Sequence, residues 1–358
     1  MLRMTAVLFL AVLVLHASSL AKEPSFTLLG WPPDSNDSRA SDISGDGTTV
    51  VGGRHSFVWK QSTGMVPIPG VQAQAVSYDG SVVVGITDWV PTEAYMWTSS
   101  GGFSVLGDLP GGDVECWPQG VSADGSVVVG HGSTDAGVET WRWTQATGIV
   151  SLGRMSAHDT AAQGISADGS VIVGYAIVPY VGDSAWRWTE QSGYVSIGRG
   201  RAYGVSSDGS TIVGQTSQTA AMIWTESTGQ QVIGALPGFT YSQFSDVSAD
   251  GAIAVGASYI SSSNPEAMIW DAENGLRSLE EVLTTVCGLD LAGWELGFTT
   301  GISDDGTTIV GIGTDPSGQS QAWMAVTPEP ATVVLLAAGG AALCMRRWQG
   351  TKNRGTET

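Results

Sequence analysis

Cysteine and histidine are scarce in this chain of 358 residues, which has 3 Cys and 4 His. No Cys-x-x-Cys pair, His-Glu-x-x-His pair, Gly-x-Ser-x-Gly motif or phosphate-binding loop occurs in it. Common zinc sites, serine-hydrolase elbows and nucleotide-binding loops are therefore excluded. With Cys344 in an apolar tail, a disulfide could join Cys116 to Cys287, and the sequence leaves that pairing open.

Basic residues are also few, since 15 Lys and Arg stand against 34 Asp and Glu, a net charge of −19. Such a surface repels nucleic acid and anionic lipid, so we expect no nucleic-acid partner. Long apolar runs are missing as well. The two longest, residues 6–15 and 331–345, lie near the termini and are shorter than the ~20 residues of a typical membrane-spanning helix.

The N-terminal run has the order of a secretory signal. Arg3 precedes the apolar residues 6–15, and the small residues Ser19 and Ala21 stand at the −3 and −1 positions of a cleavage site. This predicts a signal peptide over 1–21 and a mature chain that begins at Lys22. An exported protein is the expectation.

The C-terminal run lies between two different flanks. Pro328-Glu329-Pro330 precedes the apolar segment, and Arg346-Arg347 follows it. This order resembles the PEP-CTERM sorting signal of bacteria. The resemblance implies a sorting segment with a hydrophobic anchor over 327–348, then a polar tail over 349–358. It further implies transient membrane anchoring, an exosortase-type membrane enzyme as partner, and delivery to the cell surface or matrix.

Between these ends, one sequence pattern occurs seven times. It reads Ser-x-Asp-Gly, two short apolar stretches and a tryptophan. The Asp-Gly pairs begin at Asp46, Asp79, Asp124, Asp168, Asp208, Asp250 and Asp305, which defines units 1 to 7. Spacings of 33 to 55 residues are near those of a propeller blade and too uneven for a β-solenoid.

Each unit predicts four short antiparallel strands, a to d, because Asp-Gly between apolar runs favours a hairpin turn. Residues 22–326 are therefore predicted to be all-β: a β-propeller of seven four-stranded blades. Unit 7 has no strand d after Trp323. The run Phe26–Leu29 resembles strand d of other units, so we expect it to complete the last blade and close the ring.

The repeated residues themselves have two interpretations. The tryptophans could be sugar platforms or core; their periodicity favours core. They are Trp59, Trp97, Trp143, Trp188, Trp224, Trp270 and Trp323. The Asp-Gly turns could hold calcium, but they lack the Asp-x-Asp-x-Asp-Gly order, which favours turn chemistry and no dedicated cofactor.

The repeat, with its Gly-x-Ser-x-Asp-Gly-Ser-x-Val-Val-Gly and Ala-x-x-Trp pieces, resembles the HAF-type extracellular repeat family over residues 40–326. The resemblance implies an exported surface protein. It carries over no catalytic residues.

A binding site is expected on the face formed by the b–c and d–a loops, where most of the length variation lies. Trp89, Trp117, His131, His158 and Asp159 fall in those loops and are the speculative ligand-binding residues. No metal ligands and no catalytic residues are predicted. Trp294 could belong to a loop or lead into strand a of unit 7.

The function predicted from the sequence is a non-catalytic binding or structural propeller, located at the cell surface or in the matrix. Its expected partners are extracellular polysaccharide or a surface protein. The alternative is a secreted glycan-active enzyme, a glycosidase or lyase on a propeller scaffold. Two carboxylates facing each other in a deep central pocket would favour the enzyme.

Overall fold

The computed structural model describes residues 22–328, apart from 34, 36, 54–55, 71, 88–89 and 261–263. The predicted signal peptide, most of the predicted sorting segment, with Glu329, Pro330, Arg346 and Arg347, and the polar tail lie outside the described residues, as does Trp89. Within the described part of the chain, no helix has both the length and the apolar character of a membrane span.

The described chain is an all-β protein, as the repeat predicts. The strands are β1 Ser25–Leu28, β2 Ala40–Ile43, β3 Thr49–Gly52, β4 Phe57–Lys60, β5 Gly64–Pro67, β6 Gln72–Val76, β7 Val82–Ile86, β8 Ala94–Thr98, β9 Gly102–Gly107, β10 Cys116–Val121, β11 Val127–Thr134, β12 Gly137–Thr144, β13 Gly148–Gly153, β14 Thr160–Ile165, β15 Ile172–Ala176, β16 Ser184–Thr189, β17 Gly193–Val205, β18 Thr211–Thr216, β19 Ala221–Thr225, β20 Gly229–Gly234, β21 Tyr241–Val247, β22 Ile253–Tyr259, β23 Glu266–Asp271, β24 Gly275–Ser278, β25 Glu295–Ile302, β26 Thr308–Thr314 and β27 Ser320–Val326. The helical pieces are a 3₁₀ turn at Met155–Ala157, a helical turn at Leu279–Glu281 and a π-helical turn at Val282–Val286.

These strands form six antiparallel sheets, five of four strands and one of seven. The seven-stranded sheet arises because β17 serves two units. Its first part, to Arg199, pairs with β16, and its second part, from Gly200, pairs with β18. The described residues therefore form six sheets, where the repeat predicts seven four-stranded blades. The extended backbone from Arg199 to Arg201 leaves no loop between strand d of unit 4 and strand a of unit 5.

The N-terminal strand completes the last sheet, whose order is β1-β27-β26-β25. Ser25 lies opposite Val326 and Leu28 opposite Trp323. At the strand entry, Lys22 Nζ lies 2.8 Å from Asp305 Oδ2. The expected pairing of the first strand with the last repeat is confirmed.

Neighbouring units are joined by a cycle of backbone hydrogen bonds. Residue x of each Ser-x-Asp-Gly turn takes part, and the first strand of each unit contacts the first strand of the next, including β25 with β2. The donor N–H and acceptor C=O pairs are Asp46 to Tyr78, Tyr78 to Ala123, Ala123 to Ala167, Ala167 to Ser207, Ser207 to Ala249, Ala249 to Asp304, and Asp304 to Gly45. In unit 1, Asp46 donates and Gly45 accepts. In each of the other six units, one residue both donates and accepts.

The Asp-Gly turns are satisfied internally. In unit 4, Ser166 Oγ donates to Asp168 Oδ1 at 2.7 Å, and the same oxygen accepts from Ser170 N at 2.9 Å. Ser166 Oγ in turn accepts from Val171 N. The other six units repeat this arrangement. Hydrogen bonds to the ionised form hold the pKa of Asp168 below its usual value. A structural role for the turn follows.

The glycine that ends Val-Gly in each repeat is needed for a close approach. A Cβ added to Gly130 would lie 2.0 Å from the carbonyl oxygen of Trp117 and 2.5 Å from the ring of Trp141. Strand a is bulged here, between Pro118 and Gly120, which moves its carbonyl over strand b. The repeated glycine therefore pairs with a bulge on the neighbouring strand.

The core consists of apolar layers between neighbouring sheets, and the repeat tryptophans belong to it. Trp59 and Trp143 are buried, while Trp97, Trp188, Trp224 and Trp270 are half-buried against apolar clusters. The core interpretation is confirmed.

The alignment of Trp323 with these tryptophans is wrong. Trp323 lies opposite Gly311, as Trp141 lies opposite Gly130, and Ala325 takes the place of the repeat tryptophan. Phe26 of β1 pairs with Ala325, and its ring contacts that of Trp323. In unit 7, the small side chain of Ala325 therefore lies opposite Phe26 of β1, where the other units have their repeat tryptophan.

Candidate functional site

The side chains that converge most closely lie on the axis of the repeated sheets. In every unit, the pairing of strand a with strand b shifts register at the same repeat position, where one residue forms a bulge. In unit 1 that residue is Ser41, just before Asp42. The seven bulged residues line one cavity of about 410 Å³: Ser41, Gln74, Gln119, Gln163, Tyr203, Ser245 and Thr300. We call them the bulge residues. Because a bulge turns one side chain out of the sheet alternation, seven bulges direct seven side chains to one place.

The bulge residues are polar and uncharged. Gln163 donates to the carbonyl of Ala162 at 2.8 Å, and Ser245 donates to the carbonyl of Thr299 at 2.6 Å. Thr300 Oγ1 is buried and has no hydrogen-bond partner among the described residues. Amides and hydroxyls of this kind can donate to and accept from a neutral polar ligand.

Two carboxylates stand beside the bulge residues. Asp42 Oδ2 accepts from Val76 N at 2.9 Å, in the next unit, and Oδ1 accepts from Ile43 N. Asp246 repeats this in unit 6, with Ile302 N as the donor in unit 7. Each carboxylate therefore links strand a of its own unit to strand a of the next.

Burial dominates the electrostatics of these groups. Burial, with repulsion from Asp246, raises the pKa of Asp42 to about 8 against the opposing N–H bonds of Val76 and Ile43. Burial likewise raises the pKa of Asp246 to about 7. The pKa of Asp304 is also raised by burial. Units 6, 7 and 1 therefore concentrate acidic groups on one side of the axis.

Sequence analysis did not find these carboxylates. The position four residues before the turn aspartate is Asp in units 1 and 6 and Ala or Gly in the other five. Aligning the repeats by that position would have singled them out. Periodicity alone does not predict the bulge in strand a, and the bulge places these carboxylates beside the cavity.

Two of the predicted loop residues, Trp117 and His131, are placed differently from expectation. Trp117 and His131 lie opposite each other on β10 and β11, not in loops, because β11 and β12 extend into a long hairpin. Trp117 is half-buried. Burial lowers the pKa of His131 to about 4, and its Nδ1 has no hydrogen-bond partner among the described residues. A buried neutral imidazole at this position is part of the packing.

His158 and Asp159 follow the 3₁₀ turn at Met155–Ala157. Asp159 Oδ1 accepts from Val138 N at 3.0 Å, so this carboxylate ties its loop to the β11–β12 hairpin. Within the described ranges, no group of three or more His, Cys, Asp or Glu side chains is placed to hold a metal ion.

The segment 279–294, which connects β24 to β25, packs in the core rather than forming an exposed loop. Leu279 and Leu283 are fully buried, and Trp294 is 7% exposed in the same cluster, which assigns Trp294 to packing. Cys116 and Cys287 are both free, with Cys116 buried. Pro328, the first residue of the Pro-Glu-Pro motif, is buried.

Comparisons with known proteins bear on the fold. No family model matches this chain. No curated protein matches it. Among solved structures, U3-55K has a TM-score of 0.54 at 13% identity, over 84% of this chain and 98% of that chain. TolB from Acinetobacter baumannii has a TM-score of 0.45 at 13% identity, over 67% of this chain and 62% of that one, which is less than two thirds of its length. The likeness to U3-55K concerns the fold alone. Repeated four-stranded antiparallel sheets and this likeness define an all-β protein with a propeller scaffold.

Proposed function

We propose that this chain is an exported, non-catalytic binding protein of the cell surface or extracellular matrix. Its axial cavity takes a polar group of an extracellular polysaccharide or surface protein. The observation that carries the proposal is the convergence of seven uncharged polar bulge residues on one cavity of about 410 Å³. Such a lining matches the hydroxyl groups of a neutral sugar better than an apolar or highly charged ligand.

The scaffold for this function is a closed ring of seven blades. Two observations support the ring: the hydrogen-bond cycle that returns from Asp304 to Gly45, and the pairing of β1 with β27. The seven-stranded sheet then counts as two blades that share β17. A closed ring holds the bulge residues at fixed spacing, which is what a preorganised site requires.

Export and sorting complete the proposal. The signal-like segment 1–21 and the PEP-CTERM-like segment 327–348 support delivery to the surface through transient anchoring and an exosortase-type partner. The test is fractionation of cells that express the full chain. We expect the protein at the surface or in the matrix, and a Glu329→Ala variant retained in the membrane fraction.

The binding function is tested on a glycan array with the full-length chain in mild detergent. We expect binding to one class of glycan. The double substitution Gln119→Ala and Gln163→Ala should weaken that binding by at least tenfold. Exposed Gln61→Ala, in the turn between β4 and β5 and outside the cavity, is the control. Equal affinity of both variants would contradict the axial site.

One observation favours a second function, a glycan-active enzyme. Asp42 and Asp246 line the same cavity, and the pKa of each is raised. Against this, both oxygens of each carboxylate already accept backbone N–H bonds. Product analysis on any glycan that binds decides between the two functions. Turnover that is lost on Asp42→Asn would support the enzyme.

A further inference from the structure

Two arginines break an otherwise apolar position of the repeat. Each strand c has one residue opposite a valine of strand b and just before the position of the repeat tryptophan. Five units place an apolar side chain there: Val58, Met96, Ile223, Ile269 and Met324. Units 3 and 4 place Arg142 and Arg187 there instead, opposite Val129 and Val173.

Neither arginine has a charged partner. In the described part of the chain, the four ion pairs are made by Lys22, Arg39, Arg201 and Arg277. The side chains of Arg142 and Arg187 are half-buried and make no hydrogen bond or ion pair with the described residues. In a chain with 34 acidic residues, these two unpaired guanidinium groups are therefore open to an external anion.

Both side chains line one open surface groove of about 820 Å³. Its floor includes Val150, Leu152 and the half-buried Trp188. The turns after β12 and β16 border it with hydroxyl groups, including those of Thr147 and Ser192. The groove shares no lining residue with the axial cavity.

The groove also contains three carboxylates, Asp168, Glu190 and Asp208. Asp168 and Asp208 each use Oδ1 within their own turn. A dense polyanion would meet repulsion from these groups. A saccharide with one carboxylate per sugar unit and several hydroxyls would meet less repulsion, because carboxylates accept hydrogen bonds from sugar hydroxyls while arginine binds the sugar acid.

We infer that this groove binds a carboxylated saccharide, a uronic-acid unit of an extracellular polysaccharide. Arg142 and Arg187 hold carboxylates of successive residues, Trp188 presents an aromatic edge to the sugar ring, and the turn hydroxyls contact the sugar hydroxyls. The inference goes beyond the proposed function, because it concerns a second site and a charged ligand.

A structural role for the arginines predicts something different. Their aliphatic stems could simply cover the apolar layer, as Met96 and Met324 do at the same position. Replacing both with methionine therefore keeps the packing and removes only the charge. We expect the Arg142→Met, Arg187→Met double variant to melt at or above the temperature of the unchanged protein.

The test is isothermal calorimetry of the full-length chain with trigalacturonate and with its fully methyl-esterified form, at fixed ionic strength. We expect the free acid to bind at least tenfold more tightly than the ester. The double variant should lose that preference. Arg199→Met removes the same charge from an exposed position outside the groove and should keep it.

Three results would overturn the inference. They are no binding of the free acid, equal binding of acid and ester, or an unchanged preference in the double variant. The outcome is separable from the axial proposal, because the Gln119→Ala, Gln163→Ala variant should bind trigalacturonate normally. Capture of an acidic peptide with no uronate binding would assign the groove to a protein partner and would also overturn the inference.

Discussion

Single residues of the repeat have separable physical roles. Ser166 and Asp168 satisfy their own turn, and Gly130 allows strand b to approach a bulged strand a. Those roles could be predicted in kind from the sequence, because Asp-Gly and Val-Gly recur at fixed offsets. The roles of Asp42 and Asp246 could not, because they depend on which N–H of the neighbouring unit a bulge brings near. Trp323 was misaligned because Ala322-Trp323 corresponds to Ala185-Trp186, two residues before the repeat tryptophan Trp188.

The buried carboxylates predict an unusual pH dependence of stability. The pKa values of Asp42 and Asp246, about 8 and about 7, lie well above the usual aspartate value of 3.8. The folded state therefore keeps protons that the unfolded state releases, and stability falls as pH rises through the folded pKa values. The slope is about 1.4 kcal/mol per pH unit for each extra bound proton.

The cleanest window is pH 6.5 to 8. The turn carboxylates of Asp168 and Asp208 have lowered pKa values and stay ionised in both states there. Folded His131 stays neutral across this window, because its pKa is lowered to about 4. Its unfolded form, with the usual pKa of about 6.5, is half protonated at pH 6.5 and opposes the fall in stability by about 0.4 kcal/mol. We expect urea unfolding to show lower stability at pH 8 than at pH 6.5. In Asp42→Asn this difference should shrink by about half; a rise in stability toward pH 8 would contradict the assignment.

The close approach at Gly130 predicts a large cost for one methyl group. Gly130→Ala would place Cβ 2.0 Å from the carbonyl of Trp117, so strand a and strand b must separate. Overpacking of this kind costs about 1–3 kcal/mol. Gly148→Asn is the control, because Gly148 has φ of 65° and no atom near its Cβ position. Asn tolerates that conformation, so thermal melting should change far less; equal losses would be the contrary result.

At the scale of the strand, β1 and β17 illustrate what the sequence could and could not predict. The resemblance of Phe26–Leu29 to strand d was enough to predict its pairing with the last repeat. The fusion in β17 was not predictable, because Gly198 and Gly200 look like loop residues although the chain passes through them extended. A glycine can end a strand or can allow two strands to approach closely, and only its pairing with the neighbouring strand distinguishes the two.

The N-terminal strand predicts a stability contribution out of proportion to its length. Deleting residues 22–30 removes the pairing with β27, the Lys22–Asp305 ion pair and the contact between Phe26 and Trp323. We expect a fall in melting temperature of at least 10 °C. Lys22→Ala removes only the half-exposed ion pair with Asp305 and the hydrogen bond to Thr308 Oγ1, and should cost no more than about 1 kcal/mol. A deletion variant that melts like the full chain would refute the closing role of β1.

At the scale of the whole molecule, the repeat makes a scaffold and its departures make the candidate sites. The axial cavity depends on bulge residues that vary from unit to unit, and the groove depends on two arginines where five units are apolar. Periodicity could therefore predict the sheets and the core. It could not predict either site, because both are made by residues that differ between units and meet only in the folded chain.

The proposed closure of the ring by β1 predicts that the chain can be opened elsewhere. Ser25 lies opposite Val326, so a short turn can join Val326 to β1 as turns join β19 to β20. We expect a permuted protein that starts at 35, ends with residues 22–30, and uses a copy of Glu226–Gly229 as the new turn to fold. Its melting temperature should lie within about 5 °C of that of residues 22–328, because a new turn changes loop-closure entropy by little. The matched control ends at 328 and lacks residues 22–30. If the permuted protein melts no higher than that control, the position of β1 at the N-terminus, rather than its pairing with β27, holds the molecule together.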